Sequence, residues 1–267
     1  MTGPGKAEGM FLAPTTGSAM FQAFCRMFFL CYCPLTVEGR NHLPRSPLII
    51  CSNHTSHIDS AVLMTASGLP FSTFALLGAR DYFFDSSRVK FVVSRFMNVI
   101  PIDRQAQHNS LRQSVAMCDE FLNRTQGNLI LYPEGTRSCN GDIQRFKKGA
   151  GLFAVELGVP VVPAYIEGAR RILAKGRSVP RPGSVTVRFG EPILFPSDPS
   201  NLLPGRGLRN AAVELLEQRI RSLSQKGSAR DLTGVPGEEQ QTTISISAAA
   251  QEGPNTRIAG STERPSW

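Results

Sequence analysis

Short, continuous apolar runs alternate along the chain with segments whose apolar residues recur at helical spacing. Runs of this kind are typical of strands buried on both faces of a sheet. They occupy residues 48–51, 74–77, 99–100, 129–132, 161–166 and 185–187. Helical spacing is clearest over residues 111–122 and 208–223. The alternation predicts an α/β fold: a single domain with a largely parallel central sheet flanked by helices.

The two ends of the chain differ in composition from the middle. Residues 1–17 are rich in Gly, Thr, Pro and Ala, and we expect a flexible N-terminus there. Residues 226–267 are rich in Ser, Thr, Gly, Pro, Glu and Gln and carry few large apolar side chains. A segment of this composition buries too little apolar surface to fold, so a disordered C-terminal tail is predicted. One folded domain is expected over residues 18–225.

Residues 19–35 are predicted to form an N-terminal amphipathic helix. One face would carry, at helical spacing, Met20, Phe24, Met27, Phe28 and Cys31, with Gln22 and Arg26 on the other side. The segment is shorter than the ~20 apolar residues that a membrane span needs. Two interpretations stay open: a helix lying in the bilayer interface, and a helix packed on the domain's own core.

Charge and cysteine usage narrow the classes of partner. The net charge of +8 and the pI near 9.5 favour a phosphate-bearing substrate, an anionic membrane surface or nucleic acid. Lysines and arginines are scattered, without a helix-turn-helix, zinc-finger or RRM signature, so no nucleic-acid partner is expected. The six cysteines form no CxxC pair and no zinc-ligand grouping. We therefore expect reduced thiols in a cytosolic setting, and neither a metal nor a tightly bound cofactor.

The first candidate for chemistry is a polar segment that directly follows the apolar run 48–51. It contains His54 and, five residues later, Asp59. Ligands of open α/β sheets gather at the carboxyl ends of strands, where His54 would lie. The two side chains can meet only if His54 is in the loop and Asp59 on the first turn of a helix, for which Ser56 is a plausible cap. The alternative is that His54 is simply a polar loop residue beside a capping box.

Other polar segments also follow or adjoin apolar runs. After the run 129–132 come Pro133, Glu134, Gly135, Thr136 and Arg137, and after the run 99–100 come Asp103 and Arg104. Arg137 and Arg104 could bind a phosphate in fork geometry, or could form exposed pairs with the neighbouring acids. Lys147 lies in a basic turn that opens a predicted helix, where an anion would offset the unfavourable helix dipole. The segment 158–163 is predicted to be a turn and a short buried strand.

In combination these segments resemble the glycerolipid acyltransferase family, which includes the 1-acylglycerol-3-phosphate acyltransferases. The family's Asn-His-x4-Asp motif corresponds to Asn53, His54 and Asp59. Further motifs resemble residues 99–104, with Ile102 for a more usual aromatic, and residues 132–138, with Tyr132 for the common Phe. Residues 146–150 and 159–163 also match, and order and spacing agree over residues 36–195.

The resemblance implies a direct acyl transfer to the hydroxyl of 1-acylglycerol 3-phosphate, which gives phosphatidate. His54 would be the general base, oriented by Asp59, and the donor would be acyl-CoA or acyl carrier protein. The lysophospholipid would be bound by Glu134, Gly135, Thr136 and Arg137, with assistance from Arg104. Beyond what the resemblance implies, we expect Lys147 to contact the phosphate. The enzyme would work as a peripheral or monotopic protein at the cytoplasmic face of an anionic membrane.

Two other functions remain compatible with the sequence. The acceptor could be a different lysolipid, such as a lyso-ornithine lipid, or glycerol 3-phosphate, since the motifs do not separate these. A non-catalytic lipid-binding protein on an anionic membrane would also explain the charge and the helix at residues 19–35. It would not explain why His54, Asp59, Glu134 and Arg137 all occur at expected strand ends.

Overall fold

The computed structural model describes residues 16–79, 97–102, 108–196 and 206–233. Within these ranges the strands, named β1 to β7 in chain order, are Leu35–Glu38, Leu48–Ser52, Phe74–Ala79, Asn98–Ile102, Asn128–Leu131, Val161–Glu167 and Val185–Phe189. The α-helices, named α1 to α6, are Thr16–Cys31, Asp59–Ser67, His108–Thr125, Gly149–Glu156, Ala169–Ile172 and Arg206–Thr233. Two 3₁₀ turns cover Arg40–His42 and Phe71–Thr73.

The strands form one sheet in the order β1-β7-β6-β2-β5-β3-β4. All neighbouring pairs are parallel except β6 with β7, which run antiparallel. The predicted α/β fold with a largely parallel sheet is therefore confirmed. Strand β2 is central and is hydrogen-bonded to β5 on one side and to β6 on the other. The segment that follows β2 thus begins in the middle of the sheet's carboxyl edge.

The sheet separates two apolar cores, one on each face. Along β2, Leu48 and Ile50 face the core shared with α1, α2 and α5, and Ile49 and Cys51 face the core shared with α3, α4 and α6. All five residues of β2 are buried, as expected from its continuous apolar run. The arrangement is a three-layer helix–sheet–helix sandwich that holds the central strand, and hence the loop after it, in a fixed position.

Helix α1 has two apolar faces. Cys25 and Phe29 are buried in the core, and the side chain of Gln22 also turns inward, where it bonds to the backbone of Leu69 and Phe71. Gln22 therefore lies opposite Met20 and Phe24, as the helical spacing predicts, and its side of the helix packs on the core. The opposite face is exposed and carries Met20, Phe24, Met27, Leu30 and Cys31. In the described ranges no helix has both the length and the apolar character to cross a bilayer.

The last helix extends beyond the expected end of the folded domain. Helix α6 packs on the core through Ala212, Leu216 and Ile220, which keep the predicted helical spacing. It continues past residue 225 to Thr233. The boundary at residue 225 rested on composition, whereas a long helix can project beyond the part of it that packs.

None of the six cysteines forms a disulfide.

Candidate active site

The loop after β2 is fastened to the neighbouring strand β6 by one side chain. Asn53 is buried, and its Nδ2 donates to the carbonyl oxygen of Ile166 at 3.0 Å. Its Oδ1 accepts the backbone N–H of the same residue at 2.8 Å. A side-chain amide that replaces a strand partner in this way extends the sheet pattern by one residue. His54, the next residue, is therefore held at the carboxyl edge.

His54 and Asp59 meet as the sequence required, with His54 in the loop and Asp59 as the first residue of α2. Nδ1 of His54 donates to Oδ2 of Asp59 at 2.8 Å. The same oxygen accepts the backbone N–H groups of Thr55 and Ser56 at 2.7 and 2.8 Å. Because the carboxylate holds the proton on Nδ1, Nε2 keeps its lone pair, and the imidazole is 21% exposed. The pair has the geometry of a base and its orienting acid.

Ser56 lies two residues ahead of Ile58, the residue at the cap position of α2, where no side chain caps the helix. Two bonds typical of a capping box are nevertheless present: the Ser56 N–H donates to Oδ2 of Asp59 at 2.8 Å, and the Ser56 hydroxyl accepts the N–H of Ile58 at 3.3 Å. The hydroxyl also donates to the carbonyl oxygen of Leu173 at 2.6 Å. This bond ties the His54 loop to the segment after β6.

The ring of Tyr132 covers one face of the His54 imidazole. The ring centroids are 3.9 Å apart and the planes differ by 12°. The Tyr132 hydroxyl shares a hydrogen bond of 2.9 Å with the hydroxyl of Ser60, which follows Asp59 on α2. In the sequence, Tyr132 stands out only because the family more often has Phe at this position. That difference indicates a nearby hydrogen-bond partner, because a hydroxyl on an otherwise apolar ring needs a partner when it is buried.

Glu134 is buried, with 2% of its surface exposed, and holds the backbone of the site. Its Oε1 accepts the N–H of His54 at 2.9 Å, and Oε2 accepts the N–H of Gln144 at 3.2 Å. Ser138 completes this clamp by donating its N–H to the carbonyl oxygen of His54 at 2.8 Å. Burial raises the pKa of Glu134 to about 7, although the bonds from His54 and Gln144 act in the opposite direction. Acceptor binding by Glu134 stays a prediction.

The turn after β5 brings several of the predicted binding residues together. Gly135 has a φ of +68°, which glycine adopts without strain. A Cβ there would lie 3.0 Å from Cδ and Cε of Lys147, so the lysine side chain packs directly over the turn. The Lys147 backbone N–H donates to the carbonyl oxygen of Pro133 at 2.8 Å. Thr136 is half-buried beside them.

Arg137 reaches back to the His54 loop. Its Nη1 donates to Nε2 of His57, which lies between His54 and Asp59 in the chain. Desolvation, and then the positive charge of Arg137, lower the pKa of His57, so the neutral ring that can accept this bond is favoured. The structure thus joins His57 to the predicted phosphate-binding arginine. Asp103 and Arg104 lie outside the described residues.

Comparisons with known proteins agree with this architecture. A family model described as Acyltransferase matches residues 34–167. A chloroplastic 1-acyl-sn-glycerol-3-phosphate acyltransferase of Brassica napus is 31% identical over 166 residues, covering 59% of this chain and 44% of the relative. A 1-acyl-sn-glycerol-3-phosphate acyltransferase alpha of Bos taurus is 27% identical, covering 69% of this chain and 59% of the relative. The chain thus spans about half the length of the curated relatives it matches.

A solved structure is similar over most of the chain. The crystal structure of the 1-acyl-sn-glycerophosphate acyltransferase of Thermotoga maritima superposes with a TM-score of 0.56 at 26% sequence identity. The match covers 78% of this chain and 79% of the other. The matched region of the family model includes β2, the His54–Asp59 pair and the turn after β5.

Proposed function

The chain belongs to the acyltransferase family, and we propose on that premise that it acylates the free hydroxyl of 1-acylglycerol 3-phosphate to give phosphatidate. One observation carries the proposal: Nδ1 of His54 donates to the buried carboxylate of Asp59 at the carboxyl end of the central strand. The relatives named above are 1-acyl-sn-glycerol-3-phosphate acyltransferases, which supports this acceptor. The donor is a fatty acyl thioester of CoA or of acyl carrier protein.

Catalysis begins with deprotonation of the acceptor. Nε2 of His54 takes the proton of the lipid hydroxyl while the oxygen attacks the carbonyl carbon of the thioester. Asp59 stabilises the imidazolium that forms and keeps the proton on Nδ1, which aims the basic nitrogen outward. The attacking oxygen belongs to the substrate, so no acyl-enzyme forms.

The second half of the reaction returns the proton. The tetrahedral intermediate collapses, the carbon–sulfur bond breaks, and the leaving thiolate takes the proton from Nε2 of His54. The products are the ester and the free thiol, and the enzyme regains its starting state. The backbone around Gly135, with its φ of +68°, is the proposed donor to the oxyanion.

The acceptor phosphate is assigned to the turn after β5. Arg137 and Lys147 supply positive charge on the side of β5, and Thr136 and Gly135 line the same turn. Arg104 is proposed as an additional phosphate contact. Glu134 is assigned a positioning role, because both its carboxylate oxygens bond to backbone N–H groups. In this scheme Glu134 holds the backbone of His54 and the cations bind the substrate.

The exposed face of α1 is the proposed membrane-binding surface. Met20, Phe24, Met27 and Leu30 are 68, 64, 57 and 72% exposed. Monomeric soluble proteins rarely present contiguous apolar surface of this kind, whereas an interfacial helix buries it among lipid head groups and acyl chains. A substrate that resides in a bilayer and a net charge of +8 both favour an anionic membrane as the partner.

The test is a transfer assay with the purified full chain in detergent. A mixture of acyl-CoA chain lengths and, separately, an acyl carrier protein donor would be offered with several lysolipids and glycerol 3-phosphate. We expect phosphatidate from 1-acylglycerol 3-phosphate, detected by mass spectrometry, and its loss in His54→Ala. Product from a different acceptor would keep the mechanism and change the substrate. Undiminished turnover by His54→Ala would exclude His54 as the base.

A further inference from the structure

A cleft of about 280 Å³ opens beside the His54 loop on the side of β6. Its lining includes Thr55, Gly141, Tyr165, Glu167, Arg170 and Arg171. Thr55 adjoins His54 in the chain, so the cleft begins one residue from the proposed base. The turn that carries Arg137 follows β5, on the other side of β2, and Lys147 packs over that turn. The two candidate anion-binding regions therefore follow the two strands that neighbour β2, and Gly141, from the segment after β5, borders the cleft.

The cleft is held rigidly relative to His54. The hydrogen bonds between Asn53 and Ile166 join the start of the loop to β6. Ser56 donates to the carbonyl oxygen of Leu173, just beyond the two arginines. Arg170 in turn donates from Nε to the carbonyl oxygen of Cys139, in the segment after the β5 turn. A ligand bound in the cleft would thus keep a constant distance from the proposed base.

The charge of the cleft suits an anion. Nε of Arg170 donates to the carbonyl oxygen of Cys139, which restrains the guanidinium in the lining of the cleft. In the described part of the chain neither Arg170 nor Arg171 forms an ion pair with a carboxylate. The one acid in the lining, Glu167, bonds at 2.8 Å to Arg188, which also pairs with Glu38, so its charge is offset only in part and the lining keeps an excess of positive charge from Arg170 and Arg171. Burial raises the pKa of Tyr165, and its protonated hydroxyl adds a hydrogen-bond donor.

We infer that this cleft binds the phosphate of the phosphopantetheine arm that carries the acyl group. The inference rests on the proposed function, which requires a thioester donor to approach His54 while the lysolipid occupies the β5 side. A volume of about 280 Å³ accommodates a phosphate and part of the arm rather than a complete CoA. CoA and acyl carrier protein both contain this arm. In CoA the arm is attached to a diphosphate, and in the carrier protein it is attached through a phosphodiester.

The same exposed segment offers a matched control. Arg177 follows Arg171 and is exposed, but it does not line the cleft. Its replacement by glutamine removes one positive charge from the same region, whereas the double variant removes two. Effects of overall charge, including weaker attraction to a membrane or to a polyanion in solution, would therefore appear in Arg177→Gln at about half their size in the double variant.

The experiment compares donors that differ in their phosphate groups. Wild type, the double variant Arg170→Gln/Arg171→Gln and Arg177→Gln would be assayed in detergent with palmitoyl-CoA, palmitoyl carrier protein and palmitoyl N-acetylcysteamine, which has no phosphate. We expect the double variant to raise the KM for palmitoyl-CoA about tenfold, with kcat preserved. The KM values for the phosphate-free thioester and for the acceptor should stay within twofold. The measurements with palmitoyl carrier protein show whether the cleft accepts the phosphate of a carrier protein as well as that of CoA.

Three results would overturn the inference: an unchanged KM for both phosphate-bearing donors, a rise confined to the acceptor, or an equal rise in Arg177→Gln. Calorimetric titration of CoA into the full chain keeps this test separate from the proposed function. If wild type transfers nothing from any donor, the proposed function fails. The cleft assignment then stands if the double variant binds CoA about tenfold more weakly, and falls if wild type does not bind CoA or both bind alike.

Discussion

The imidazole of His54 lies flat against the ring of Tyr132, with centroids 3.9 Å apart and planes 12° apart. Asp59 fixes the Nδ1 edge of the same imidazole, and Glu134 and Ser138 fix its backbone on both sides. One ring edge, one ring face and both peptide groups are therefore restrained. The imidazole is restrained and still 21% exposed, and its Nδ1 is occupied by Asp59, so Nε2 is the nitrogen available to act as a base on a substrate hydroxyl.

Asp59→Asn should lower kcat far more than it changes either KM. Asparagine would keep its amide oxygen toward His54 Nδ1 and the two backbone N–H groups, but it lacks the negative charge that stabilises the imidazolium formed during turnover. A loss of about 10²- to 10⁴-fold in kcat is expected from the analogous change in serine proteases. Because Oδ2 of Asp59 also accepts two backbone N–H groups, circular dichroism and a melting curve should accompany the kinetics.

A double variant tests whether Asp59 acts through His54. His54→Ala/Asp59→Asn should be no slower than His54→Ala alone, because residues that act as one unit are strongly non-additive. If the loss of kcat in the double variant instead equals the product of the two single losses, Asp59 has an independent role in turnover.

Loss of the Tyr132–Ser60 hydrogen bond should make the Tyr132 ring a less rigid support for the His54 imidazole, while the stacking of the two rings is kept. Tyr132→Phe and Ser60→Ala each keep the stack and each lose the bond, so we expect similar, few-fold losses in kcat with unchanged KM values. Tyr132→Leu removes the flat surface as well and should lower kcat about tenfold more. Steady-state kinetics with both substrates varied would measure this. Equal kcat for wild type and Tyr132→Leu would show that the stack does not position the base.

The fold and the His54–Asp59 contact follow from the sequence because both depend on local pattern. A continuous apolar run such as residues 48–51 can be satisfied only by burial on both faces, which identifies the central strands. The five-residue spacing of His54 and Asp59 allows contact only across a helix start, as found. Strand β1, Leu35–Glu38, was missed because it is a short edge strand without buried residues.

Other features of the site depend on contacts between distant segments and could not be predicted. Tyr132 meets Ser60, and Arg137 meets His57, only because β5 and β2 are neighbours in the sheet. The bonding partners of Gln22, in the backbone near Leu69, likewise lie far along the chain, although helical spacing places Gln22 opposite Met20 and Phe24. Strand order is a property of the whole chain, so such partners become visible only in three dimensions.

Glu134→Gln should change how stability depends on pH. Burial raises the pKa of Glu134 to about 7 from its ordinary value of 4.5, so the folded protein holds this proton more tightly than the unfolded chain. Its contribution to the free energy of unfolding is therefore largest below pH 4.5 and is lost as pH rises toward and through 7. The variant cannot lose this contribution, so its stability relative to wild type should rise by up to ~3 kcal/mol across that window.

Chemical denaturation at several pH values between 4 and 8 would measure this difference. Glu214→Gln, which removes a carboxyl from the exposed side of α6, is the matched control and should stay parallel to wild type. If Glu134→Gln also stays parallel to wild type, the buried carboxyl does not titrate in this range.

Arg137 and His57 should be coupled in acceptor binding. Arg137→Gln is expected to raise the KM for 1-acylglycerol 3-phosphate about tenfold to a hundredfold, because a charged hydrogen bond to phosphate is lost. His57→Leu should raise the same KM a few-fold, since it removes the acceptor that orients Nη1 of Arg137. In the double variant the effect of His57→Leu should disappear. Full additivity would mean that His57 does not act through the arginine.

The exposed face of α1 should determine membrane binding separately from chemistry. Phe24→Ser/Leu30→Ser removes two large apolar side chains that are 64 and 72% exposed, so the fold should tolerate both changes. Each side chain contributes about 1.5–3 kcal/mol when fully buried in an apolar phase, so vesicle partitioning should fall at least tenfold. Flotation with vesicles of phosphatidylcholine containing phosphatidylglycerol would measure it, with Ala23→Ser, also exposed on α1, as the control. Activity in detergent should be preserved, because the altered face lies apart from the His54 loop. Undiminished flotation of the double variant would assign membrane binding to another surface of the protein.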